Sequence, residues 1–75
     1  MKELVEYVAR GLVEQPDQVR VSEVRQSNLI IYELEVAPDD MGKVIGRQGR
    51  VINALRALVK AAAVRRGVRV NVEVV

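Results

Sequence analysis

Two glycines three residues apart constrain this chain more than any other feature. In Val44-Ile45-Gly46-Arg47-Gln48-Gly49-Arg50-Val51-Ile52 they bracket one basic and one polar residue, with an aliphatic pair on each side. Upstream, Pro38-Asp39-Asp40 reads as a helix start; downstream, a long apolar-periodic stretch begins. The glycines therefore predict a tight turn between two helices. Such a turn sets backbone N–H groups at a helix N-terminus, where the dipole is positive and an anion is favoured. Lacking Cβ, Gly46 and Gly49 let a phosphate chain come close to the backbone. Lys43, Arg47 and Arg50 add positive charge at the same place.

Charge is divided along the chain in a way that supports a polyanionic partner. Residues 1–40 hold four basic and nine acidic residues, net −5, whereas residues 41–75 hold eight basic and one acidic, net +7. That imbalance predicts a basic face of the kind that meets nucleic acid. Chemistry is narrowed just as sharply by what is missing. There is no histidine and no cysteine. Zinc chemistry, disulfides, and Ser-His or Cys-His catalysis are thereby excluded. Asp39 and Asp40 read as a helix cap with no nucleophile–base pair beside them, so neither an enzyme nor a cofactor or metal is expected. No apolar run approaches the ~20 residues that span a bilayer. Met1-Lys2-Glu3-Leu4 is too acidic for a signal peptide, so a cytoplasmic location is the expectation.

The 75 residues are expected to form one small domain, residues 1–75, with a core of marginal size. Leu4, Val5, Val8 and Leu12 predict a first helix over 2–14, with Gly11 as a weak point or a place of close packing, stopped by Gln15-Pro16. Val19 to Arg25 reads as a strand, with a bulge or an early end at Glu23-Val24. A polar turn at Gln26-Ser27-Asn28 leads into a second strand, Leu29 to Ala37. There Ile30, Tyr32, Leu34 and Val36 share the core face, and Leu29 and Ile31 leave an apolar patch on the other. An Asp caps a short helix over 41–45. A second long helix is expected over 50–66, with Val51, Ile52, Leu55, Leu58, Val59 and Ala62 buried. Ala54, Ala57 and Ala61 flank that stripe, and Gly67 closes the helix. Val68 to Val74 is the last strand, with valine at every even position. The fold class is α+β: a three-stranded sheet with three helices packed on one face, in the order α-β-β-α-α-β.

At this point the residues carry a resemblance. Val44-Ile45-Gly46-Arg47-Gln48-Gly49-Arg50-Val51-Ile52 resembles the V-I-G-x-x-G-x-x-I signature of KH domains, and the element order resembles the type II KH arrangement. The whole chain is most similar to the stand-alone bacterial KH proteins of the KhpA family. That resemblance implies a non-catalytic RNA-binding protein, an RNA chaperone or post-transcriptional regulator that clamps about four nucleotides of single-stranded RNA. It implies that Gly46 and Gly49 let the strand pass, Arg47 and Gln48 face phosphates, Lys43 and Arg50 stand beside them, and Val44, Ile45 and Ile52 floor an aliphatic groove. Val51 is read as core, and Arg56, Lys60, Arg65, Arg66 and Arg69 as mostly solvated. With no aromatic residue near the turn, weak sequence preference and marked salt dependence are expected. The resemblance further implies a homodimer, or pairing with a second KH protein, KhpB; the alanine flank and the Leu29/Ile31 patch agree with self-association. The competing reading is a protein–protein adaptor of KH shape in which RNA binding is secondary.

Overall fold

A computed structural model describes residues 1–75. Its elements are α1 (Lys2–Leu12), β1 (Arg20–Gln26), β2 (Leu29–Glu35), α2 (Met41–Ile45), α3 (Arg50–Val64) and β3 (Arg69–Val74), with single 3-10 turns at Pro16–Gln18, Pro38–Asp40 and Arg47–Gly49. The strands lie in the order β1-β2-β3, with β1 antiparallel and β3 parallel to β2. A parallel neighbour needs a crossover, and α2 and α3 supply it. This is the expected α+β fold, with all three helices on one face of the sheet.

Register puts the even residues of β2 and β3 on the helix side. Val21 pairs with Leu34, Tyr32 with Val72, and Ile30 with Val70, and all six side chains are buried. Burying a side chain such as Leu34 contributes about 1.5–3 kcal/mol. Tyr32 sits at the centre of this layer; burial first, and the Glu23 carboxylate next, push its phenol above its ordinary range. The hairpin ladder runs one-to-one through Glu23↔Tyr32 and Val24↔Ile31, so the expected bulge is absent. The β1–β2 turn holds only Ser27 and Asn28, and Ser27 takes φ +50°, the sign a two-residue hairpin demands at its first position. Leu29, Ile31 and Val24 form a half-buried apolar patch on the face without helices.

Three expectations shift for reasons of packing. Helix α1 ends at Leu12 rather than residue 14, and its buried pair is Val5 and Ala9, with Leu12 at the rim. Nothing lies near the vacant Cβ position of Gly11, so no element packs closely there. In α3 the buried stripe is Ile52, Leu55, Val59 and Ala63, which turns Leu58 outward at 49% exposure and leaves Val51 and Ala62 half-buried. The helix ends at Val64. Gly67, at φ +68°, donates its N–H to Val64 O at 3.2 Å, and Val68 N–H reaches Ala63 O at 3.3 Å, the paired bonds of a Schellman stop. No helix is long and apolar enough to cross a membrane.

Candidate nucleic-acid interface

The turn between α2 and α3 forms as its glycines require. Gly46 adopts φ +75°, ψ 170°, a region essentially closed to side chains, and its N–H donates to Gly42 O at 2.9 Å to end α2. Arg47–Gly49 then makes one tight turn. Gly49 N–H donates to Gly46 O at 3.1 Å, and Arg50 N–H donates to Arg47 O. Gln48 sits at φ +57°, ψ +26° and Gly49 at φ +74°, ψ +16°, two successive left-handed residues. For glutamine that conformation costs about 1–2 kcal/mol. Gln48 is exposed, so no packing of its side chain compensates.

This geometry corrects part of the phosphate-cradle expectation. A Cβ on Gly46 would overlap the Val51 side chain and come within 2.9 Å of Val51 N, so the missing side chain makes room for α3 rather than for a ligand. Around Gly49 a Cβ would meet only ordinary contacts, the nearest being Asn53 Nδ2 at 3.6 Å. The N–H groups of Gly46, Gly49 and Arg50 are all engaged within the turn. Among the turn residues this leaves the peptides of Arg47 and Gln48, and the exposed side chains of Arg47, Gln48 and Arg50, facing solvent.

The other expected site residues divide by depth. Arg47, Gln48 and Arg50 are exposed together on the tip. Ile45 is half-buried at its base. Val44 and Ile52 are core residues at 1% and 5% exposure, because the α2–α3 corner buries one apolar residue from each helix in the shared core. Neither of them lines the surface beside the turn, contrary to the groove floor expected there. Lys43 does not stand free beside the tip: its Nζ lies 3.7 Å from Asp40 and 3.8 Å from Glu14.

Two residues do work that the local pattern did not reveal. Asp40 occupies the cap position of α2 but makes no capping bond there. Its fully buried carboxylate instead accepts the N–H groups of Glu14 and Gln15, each at 3.1 Å. That is why α1 stops at Leu12, and it ties the end of α1 to the entry of the turn. The doubled Asp39-Asp40, one acid more than a cap needs, was the available signal. Arg56, expected to be solvated, is half-buried; its Nε donates to Val72 O at 2.9 Å and its Nη1 to Asn53 Oδ1 at 3.1 Å. The Asn53/Arg56 spacing of i, i+3 marks a common helix face, but its partner on β3 lies sixteen residues away. Together the tip, Asn53 and Arg56 trace a polar and cationic line along α3 beside the edge of β3.

Known proteins resemble this chain over its full length. The family model described as KhpA/KhpB, KH domain matches residues 2–74. A Clostridium acetobutylicum protein named RNA-binding protein KhpA is 56% identical over 75 residues, covering 100% of both chains. Proteins of the same name from Caldanaerobacter subterraneus and Clostridium perfringens are 55% and 53% identical over the same full lengths. Among solved structures, a variant of Aquifex aeolicus Era crystallised with GDP and AlF4− superposes with a TM-score of 0.69 at 19% identity. That match covers 97% of this chain and 28% of the other, and it concerns the fold alone.

Proposed function

Because the chain belongs to the KhpA/KhpB KH-domain family, we propose that it is a non-catalytic RNA-binding protein that grips single-stranded RNA at the Gly46–Gly49 turn. The observation that carries this reading is the tip itself. Two exposed arginines flank an exposed glutamine held in a left-handed conformation that no buried contact needs. Strain kept at an exposed residue is a mark of ligand clamps. Phosphates meet Arg47, Gln48 and Arg50; bases lie against Ile45 and run along α3 past Asn53. Charge-assisted contacts of this kind position a strand without reading its sequence, which suits an RNA chaperone or a post-transcriptional regulator. About four nucleotides fit such a module.

The double substitution Arg47→Asp, Gln48→Asp tests this directly, since the glycines and the fold stay while the phosphate is repelled. Filter binding to single-stranded RNA in low salt is expected to weaken at least about tenfold, with a shallower salt slope than the parent. Unchanged binding would remove the turn from the RNA site. A second reading, pairing with another copy or another KH protein, is favoured by a separate feature. Leu58 stands half exposed among the exposed Ala54, Ala57 and Ala61, an apolar strip on the outer side of α3.

A further inference from the structure

A second concentration of positive charge lies at the end of α3 opposite the glycine turn. Arg65 and Arg66 follow the last turn of the helix, Arg69 opens β3, and Lys60 stands one turn back; all four are exposed. None of them is in an ion pair. None of their side chains makes a hydrogen bond. From Met41 to Val72 the sequence has no acidic residue at all. Arg25 reaches the same end from β1. Burial raises the Tyr32 phenol, Glu23 adds to the rise, and Arg25 and Arg66 both oppose it, so the two guanidiniums converge on one ring. Glu23 holds Arg25 at 2.7 Å. The other four cations have no counter-charge.

Cations at a helix C-terminus commonly serve the helix itself, by capping its last carbonyls or offsetting its dipole. Here the main chain does the capping. Ala63 O accepts Arg66 N–H at 2.9 Å and Val68 N–H at 3.3 Å, and Val64 O accepts Gly67 N–H at 3.2 Å. The dipole is equivalent to about half a negative charge, which one cation balances. Three positive charges remain. Like charges gathered this closely repel one another, and an anion lying over them relieves that cost. A phosphodiester backbone carries one charge every few ångströms, so it matches such a cluster better than a single ion does.

We propose that this arginine end is a second RNA site, so that one chain holds two RNA segments at once and brings them together for pairing. The inference rests on the RNA-binding reading of the glycine turn. Gly49 and Arg65 are sixteen residues apart, about 24 Å along α3. The ground between them offers a phosphate little. Ala54, Ala57, Leu58 and Ala61 stand on the outer side of the helix. Arg56 is spent on Val72 O, and Asn71 Oδ1 covers the Val72 N–H at 2.9 Å. The two cationic ends therefore act separately, each on its own segment. Two backbones neutralised on one small body lose the mutual repulsion that slows their encounter. Because the contacts are to phosphate, the second site accepts any sequence.

The test saturates surface-tethered tetracytidine with the chain and then offers labelled oligouridine, which does not pair with it. The parent chain is expected to capture the second strand. Arg65→Gln, Arg66→Gln removes charge at two exposed positions. It is expected to reduce capture at least about tenfold, and to slow the annealing of two complementary strands in step, with tetracytidine affinity kept within about twofold. Arg65→Lys, Arg66→Lys keeps the charge and should keep the capture. No capture by the parent overturns the second site. Capture that persists in the glutamine variant comes from the turns of two associated copies and overturns it as well. So does a matching fall in tetracytidine affinity, which would mean one continuous site, or loss of capture in the lysine variant, which would mean that charge is not the cause. Tetracytidine binding that ignores Arg47→Asp, Gln48→Asp overturns the turn reading instead, so the two failures are told apart.

Discussion

Gly46 illustrates how packing alone can fix a residue that spacing reads as part of a binding site. Its φ of +75° and the neighbouring Val51 side chain each forbid a Cβ, on separate grounds. Gly46→Ala is expected to cost about 2–4 kcal/mol, combining strain and overlap. Gly49→Ala, which meets only ordinary contacts, should cost about 1 kcal/mol for its left-handed φ alone. Adding Val51→Ala to Gly46→Ala removes the closest overlap, with the Val51 γ-methyl, and leaves the backbone strain and the 2.9 Å approaches to Val51 Cβ and N, so the double variant should lose less than the two single losses combined. Urea denaturation of the four proteins checks this; strict additivity would show that Val51 is not what excludes the side chain. The turn glycines were legible from spacing alone. That Gly46 is needed by α3 rather than by a phosphate was not, since Val51 reaches it only through the corner between two helices.

Between elements, the decisive contact is Asp40. It joins the loop after α1 to the entry of α2 by accepting the N–H groups of Glu14 and Gln15 on a fully buried carboxylate. Asp40→Asn keeps the shape but turns an amide N–H₂ toward one of those donors. The change is expected to cost about 1–3 kcal/mol, several degrees in melting temperature for a chain of this size. A melting temperature within about 1 °C of the parent would mean the clamp is idle. RNA affinity at a temperature where both proteins are folded should change little, because the carboxylate does not reach the tip. From the sequence, the Asp39-Asp40 pair reads as a local cap, which is what an acid before a short helix means when only its neighbours are known. The rotation of α3 that buries Ala63 and exposes Leu58 belongs to the same scale. Both residues fit a helical stripe, and the sheet beneath selects which one is inside.

Over the whole molecule, helices cover one face of the sheet, the other carries the Val24, Leu29 and Ile31 patch, and the outer side of α3 offers Leu58 among alanines. A small domain gains stability by covering such surface. Light scattering during size-exclusion chromatography, on the order of tens of micromolar, is expected to return twice the chain mass. A clean monomer would exclude a homodimer. Leu58→Glu should shift a dimer to monomer without weakening the fold, whereas a dimer unaffected by it would place the contact elsewhere.

The chain's own order of residues settled the element sequence, the α+β class, the alternating faces of β2 and β3, and the glycine turn with its cations. Each of these follows from periodicity or backbone conformation within a few neighbouring residues, where local sterics and hydrophobic spacing act. Tertiary structure alone decided that Val44 and Ile52 lie in the core, that Lys43 is drawn to Asp40 and Glu14, and that Arg56 and Asn71 close one rung of β3. Those outcomes join residues far apart in the chain. Only the packing of helices onto the twisted sheet brings such partners within hydrogen-bonding reach.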